Sequence, residues 1–271
     1  MYMEPNRPTE FDSKAIVQKE SLDIEPTSAD YEARVLDMHG MLQRGAESED
    51  YWDSLDKVWT EYVANESDPR WQQFCAALLQ APRLTIYQDR IAELSQAEKN
   101  RRLTHEEYTE MHTTKIQVIE DKHYFRSMIE NHQDDFTMRE FTQWYAMFNG
   151  GRSQKATEDI YGAMSEIAAW EAAASLPGLL MAVEYGNAED DSHGGDIKAL
   201  MTDSLEEVLI DVKSGLQIPE HRRTKTGYKL VIGVPTQLMD SHGRLDSDGK
   251  LGMQRNIEYA VTQAIALKKA Q

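Results

Sequence analysis

Near the C-terminal end of the chain, Gly195-Asp196-Ile197 opens one short apolar segment, and fifteen residues beyond Asp196 lies the acid of a second, Val208-Leu209-Ile210-Asp211-Val212-Lys213-Ser214. If both segments are strands, two carboxylates and one ammonium can meet at a point. That set is the minimum equipment for holding Mg²⁺ beside a phosphodiester and activating a water molecule there. Period-two alternation puts Val208, Ile210 and Val212 on one face of the second segment, and Leu209, Asp211 and Lys213 on the other. The first face reads as core. The second sets an acid beside an amine, with the main-chain carbonyl of Val212 available as a further oxygen ligand. Residues 202–207 are polar enough to turn, so the two segments are expected to form a hairpin.

Acid-x-Lys by itself is a common spacing, and the chain repeats it at Asp12-Lys14, Glu120-Lys122, Asp196-Lys198 and Asp248-Lys250. The first lies in a polar tail, the second in a helix-like segment and the last in a Gly/Asp-rich loop. Asp196-Lys198 has no acidic strand ahead of it. Asp211-Val212-Lys213 alone combines an apolar strand with an Asp one strand earlier; the structural alternative is a surface salt bridge across a hairpin.

The elements that must position these groups can also be read. Ile160, Met164, Ile167, Ala168, Ala172 and Leu176 recur at helical spacing over residues 154–176, and Pro177-Gly178 ends the run. This helix carries Glu166 and Glu171, which five residues of helix turn about 140° apart, so one of the two faces the site. Gly162, one turn before Glu166, leaves room for close backbone approach and favours Glu166; a solvated helix glutamate is the alternative for either. Further on, residues 228–234 are rich in β-branched side chains and read as a strand. Ile257, Ala260, Val261, Ala264 and Ile265 mark an amphipathic helix over residues 254–269.

This order of parts, a helix with Gly162-x-x-x-Glu166, a strand at 179–186, a strand headed by Asp196 and a strand with Asp211-x-Lys213, resembles the PD-(D/E)xK, or restriction-endonuclease-like, nuclease superfamily over residues 155–271. The resemblance implies that Asp196 and Asp211 bind Mg²⁺ or Mn²⁺. It implies that Lys213 positions or activates the attacking water and that Glu166 supports the metal or the lysine. Gly195 stands where the family's motif carries Pro, and residues 214–227 read as a loop where the family usually has a helix.

Within that loop and the strand after it, Arg222, Arg223, Lys225 and Lys229 form the densest basic cluster in the chain, with His221 beside them. They could hold a nucleic-acid backbone or form a solvated hairpin tip. The run 240–252 faintly suggests a calcium loop, but aligning Gly249 to the sixth position puts Arg244 first and Arg255 twelfth, where carboxylates are required. It reads as ordinary turn residues.

The 271-residue chain carries a net charge of −18, which opposes non-specific binding to nucleic acid. The excess is uneven: residues 1–150 hold 16 Lys+Arg against 29 Asp+Glu, and residues 151–271 hold 13 against 18. The single cysteine, Cys75, sits in an apolar run and cannot form an internal disulfide, which suits a cytoplasmic location. No segment reads as membrane-spanning. In the first half, Tyr51, Leu55, Val58, Trp59 and Tyr62 mark one helix, and Trp71, Phe74, Cys75, Leu78 and Leu79 another ending before Pro82. Thr104-x-x-Glu107 and Thr137-x-x-Glu140 read as capping boxes. His105 and His112 share a helical face among acids without forming His-Glu-x-x-His, so an exposed polar helix is the simpler reading.

The expected architecture is α/β: a polar, flexible segment over 1–30, an α-helical domain over 31–150, and a restriction-endonuclease-like domain over 154–271 with a mixed central sheet flanked by helices. Gly150-Gly151 is the expected boundary. The expected function is Mg²⁺- or Mn²⁺-dependent hydrolysis of nucleic acid, with DNA favoured, and the acidic helical half serving a protein partner or self-association. The alternatives are a catalytically inactive nuclease-like binding or assembly module, and a helical interaction protein whose sheet is purely structural.

Overall fold

The structure, a computed structural model, describes residues 28–46, 51–187, 190, 194–215, 219–224 and 227–269. The expected flexible segment 1–30 lies almost wholly outside them. Helices come first: α1 (Ser28–Ala46), α2 (Tyr51–Val58, continued by a π turn, Trp59–Val63), α3 (Pro69–Asn100), α4 (His105–His132), α5 (Met138–Phe148) and α6 (Ser153–Ala174). Strands β1 (Leu180–Tyr185), β2 (Ile197–Met201), β3 (Glu207–Ser214), β4 (Glu220–Arg223) and β5 (Gly227–Val234) follow, and α7 (Ser247–Lys269) ends the described chain. The protein is thus α/β, a helical region followed by a five-stranded mixed sheet with helices on it. Among the described residues, no helix is long and apolar enough to cross a membrane.

Local chemistry accounts for the helix starts. Thr104 and Thr137 each accept from the backbone N–H three residues on, while Glu107 and Glu140 reach back to the cap residue, so both capping boxes form as read. Asp68 caps α3 in the same way, with Pro69 at the first position. Two boundaries differ from the sequence reading. Helix α3 runs straight through Pro82 to Asn100, although an interior proline costs a helix about 3 kcal/mol. Every residue from Phe74 to Pro82 is buried, so packing overrides the local preference. Helix α7 begins at Ser247, inside the run read as a turn, where the Asp246 carboxylate accepts from Gly249 N at 2.7 Å.

Sheet order is β1-β2-β3-β5-β4. β1, β2 and β3 form an antiparallel meander, β3 pairs with β5 in parallel, and β4 lies antiparallel on the outer side of β5. The return from β3 to the parallel β5 therefore contains the short strand β4, where the sequence reads as a loop. One sheet face, with Ile197, Ala199, Val208, Ile210, Val212, Leu230 and Ile232, is covered by Ala168, Ala169 and Ala172 of α6 and by Ile257, Ala260, Val261 and Ala264 of α7. A separate core joins Trp71, Phe74, Phe136, Phe141, Trp144 and Tyr145 of the helical region to Ile160, Met164 and Ile167. Helix α6 thus belongs to both cores, its first turns to one and its last turns to the other. The passage between regions falls inside this helix rather than at Gly150-Gly151. The loop before α7 adds a second tie. Met138 N donates to Ser241 O at 2.8 Å, and the His242 ring Nδ1 lies 3.0 Å from the carbonyls of both Gln133 and Phe136.

Candidate active site

Asp196 stands one residue ahead of β2, whose first pair is Ile197 with Ile210. Extending that antiparallel register by one step sets Asp196 opposite Asp211, on the sheet face away from α6 and α7. Directly opposed residues share a face with their Cβ atoms about 5 Å apart. Because β2 ends here, the Val212 N–H has no strand partner on that side among the described residues, and the Asp196 carboxylate takes the place, accepting from it at 2.6 Å. A residue's N–H and C=O leave a strand on the same edge. The Val212 carbonyl therefore points to the edge that Asp196 occupies.

Asp211 is largely buried, with 13% of its side chain exposed, and meets two ammonium groups: Lys213 at 2.5 Å and Lys229 at 3.1 Å. Lys213 is half-exposed. Lys229, expected in the exposed basic cluster, is instead buried, with 10% of its side chain exposed. The parallel register explains this placement. Leu209 pairs with Lys229 and Asp211 with Val231, so the Lys229 side chain lies on the face of Asp211, one step back along the neighbouring strand. Above it passes Gly194, whose φ is +75° and where a Cβ would fall 2.2 Å from Lys229 Nζ. A side chain at residue 194 would be strained in that conformation and would drive the lysine from its place. The next residue, Gly195, lies against Leu209 and donates its N–H to Asp190 O at 2.9 Å.

The remaining expected site residues are distributed as follows. Glu166 lies on α6, on the covered side of the sheet, where its carboxylate accepts from Arg126 of α4 at 2.7 Å. The preceding residue touches the end of β3, with Ser165 Oγ 3.2 Å from Ser214 Oγ, so Glu166 sits at the level of Lys213 but across the sheet from it. Glu171 faces elsewhere and pairs with Lys250 of α7 at 3.6 Å. Arg222 is exposed on β4. Lys225 lies outside the described residues, and Arg223 is described by its backbone alone.

Arg126 is a residue that sequence reasoning passed over. Its side chain is 6% exposed, and the guanidinium pairs with Glu166 and lies 3.8 Å over the ring of Tyr185. Tyr185 in turn stacks on Trp170 of α6 and pairs across the sheet with Ile197, the neighbour of Asp196. Burial raises the Tyr185 phenol far above its ordinary value, and the nearby Glu130 carboxylate adds to the rise while Arg126 opposes it. Burial raises the Glu130 carboxyl as well, against the pull of Tyr185 and Arg126. Helix α4 of the helical region thereby reaches the end of the sheet that carries the site.

The oxygen donors at this strand end could serve a hard divalent cation. Among the described residues no three His, Cys, Asp or Glu side chains converge as a metal cluster. The donors present are two carboxylates, Asp196 and Asp211, and the Val212 carbonyl. Mg²⁺ is commonly held in this way, through one or two carboxylates with water and substrate phosphate completing the shell. The chain matches no protein-family model, no curated protein and no solved structure at a significant level.

Proposed function

We propose that this protein is a metal-dependent nuclease of the restriction-endonuclease-like type, hydrolysing phosphodiester bonds with Mg²⁺ or Mn²⁺ and acting on DNA in preference to RNA. One observation carries the reading: the Asp196 carboxylate sits 2.6 Å from Val212 N, at the strand end where Asp211 and Lys213 emerge on one face. A bound divalent cation would polarise the phosphate and lower the pKa of a coordinated water. Asp196, Asp211 and the Val212 carbonyl would hold that cation. Lys213, half-exposed, on the site face and paired with Asp211, would orient the attacking water and offset charge developing on the phosphate oxygens. Arg222 on β4, with Arg223 and Lys225 beside it in sequence, is where the nucleic-acid backbone would rest. Residues 1–150 carry 16 Lys+Arg against 29 Asp+Glu, so the helical region would repel that backbone and serves better as a surface for a protein partner or a second copy.

The replacement of the family's usual crossover helix by β4 favours a second reading, a nuclease-like module without catalysis. Asp196→Asn separates the two, because an asparagine oxygen can still accept from Val212 N and preserve the strand end. Labelled single- and double-stranded DNA and RNA are incubated with wild type and variant over a Mg²⁺ series. Metal-dependent cleavage by wild type that falls by about 10²-fold or more in the variant is expected. Equal cleavage by the two proteins would remove Asp196 from the site, and no cleavage by the folded wild type would favour the non-catalytic module.

A further inference from the structure

At the end of β3, Asp211 is already paired with cations, and Lys198 beside it pairs with Asp190 and Glu207. Two carboxylates, Asp196 and Asp211, share one sheet face with two ammonium groups, Lys213 and Lys229, and Asp211 contacts both lysines at 2.5 and 3.1 Å. Glu166, the third acid expected near the metal, is matched by Arg126 at 2.7 Å. The two lysines are not equivalent. Lys213 is 47% exposed and can turn toward a substrate, whereas Lys229 is 10% exposed and lies under Gly194. A divalent cation arriving alone would therefore meet in Asp211 a buried carboxylate whose charge two ammonium groups already offset. A phosphodiester brings one compensating negative charge, and the hydroxide formed from a bound water brings the other.

Resting on the metal-dependent reading above, we propose that Lys229 is a standing counter-ion of Asp211. It makes the site bind divalent cation weakly by itself and much more tightly together with a phosphodiester. Lys229 acts through Asp211 and is a positioning residue rather than a catalytic one. Removing one unit charge at this distance should change cation affinity by about tenfold.

The test is calorimetric titration with Mn²⁺, alone and in the presence of a short phosphorothioate oligothymidylate, for wild type, Lys229→Met, Lys229→Arg and Asp211→Asn. Wild type should bind Mn²⁺ weakly alone and about tenfold or more tightly with the oligonucleotide. Lys229→Met should bind Mn²⁺ alone about tenfold more tightly than wild type, with a smaller further gain from the oligonucleotide. Lys229→Arg, which keeps the charge, should behave as wild type, and Asp211→Asn should lose the binding. A purely structural lysine would not raise cation affinity when replaced. Mn²⁺ affinity in folded Lys229→Met equal to or below that of wild type would overturn the counter-ion role while leaving the metal site standing. Absence of saturable Mn²⁺ binding in every variant, with and without oligonucleotide, would overturn the metal-dependent reading itself.

Discussion

In the helical region, several ion pairs lie at the surface: Arg90 bridges Glu93 and Glu110, and Arg101 holds Glu107, on α3 and α4 or the turn between them, while Arg34 with Glu66 is partly buried. At the end of the sheet both partners of one pair are buried, Lys229 and Asp211 meeting with 10% and 13% of their side chains exposed. Exposed pairs are screened and add little to stability. A buried pair gives up several kcal/mol of hydration per ion, and an apolar pair of the same size would often serve the fold as well. The helical region therefore draws its stability from its aromatic core, while the sheet carries a charged cluster that folding alone does not require. That contrast favours the sheet as the place of the proposed chemistry. The Arg126–Glu166 pair, with side-chain exposures of 6% and 25%, is where the helical region reaches it.

The contrast can be broken first in the helical core. Trp71 is fully buried, stacks on Phe74 at 5.2 Å and lies under the Arg34 guanidinium at 4.1 Å. Trp71→Ala should cost about 3–5 kcal/mol, read from urea unfolding. A loss below about 1 kcal/mol would mean that this core does not hold the region together.

A smaller effect is expected at Asp121, an acid buried inside the helical region. Asp121 is 3% exposed and accepts from Gln117 at 2.9 Å. Its carboxyl is pushed up to about 6 by burial, with Gln117 and Arg83 opposing the rise. The unfolded value lies near 4, so between about pH 4 and pH 6 the folded state keeps a proton that the unfolded state releases. Stability from this group is therefore greatest below pH 4 and falls as pH rises through about 6. Asp121→Asn keeps the acceptor and should stabilise the protein at pH 7 by about 2 kcal/mol, with the gain vanishing near pH 4. An equal gain at both pH values would show that ionisation is not the cause. The smallest effect is predicted for Arg90→Ala, which should leave the melting temperature unchanged within error despite losing two ion pairs.

Much of this arrangement could be read from local pattern. Alternation in residues 208–213 gave both faces of β3, and the acid ahead of Ile197 followed from the same hairpin, because antiparallel neighbours are close in sequence. Lys229 could not be placed that way. Its position depends on the parallel register of β3 with β5, and its neighbours Arg222 and Arg223 suggested a solvated loop instead. Arg126 sits forty residues before Glu166 on a helix whose charged face looks ordinary, so no spacing rule links the two. Strand β4, Glu220–Arg223, is wholly polar and gives no apolar alternation to detect. Pro82 misled for the opposite reason, since burial on all sides outweighed its local effect.

Lys213→Ala tests most directly the metal-dependent phosphodiester hydrolysis proposed for the charged strand end of the sheet. Lys213 is 47% exposed, so its loss should barely alter unfolding, and Asp211 keeps Lys229 as its partner. Initial rates of Mg²⁺-dependent cleavage of labelled DNA would be compared for wild type and variant at matched folded concentration. The account predicts a loss of about 10²-fold or more with unfolding midpoints that coincide. A variant that cleaves as fast as wild type would contradict it.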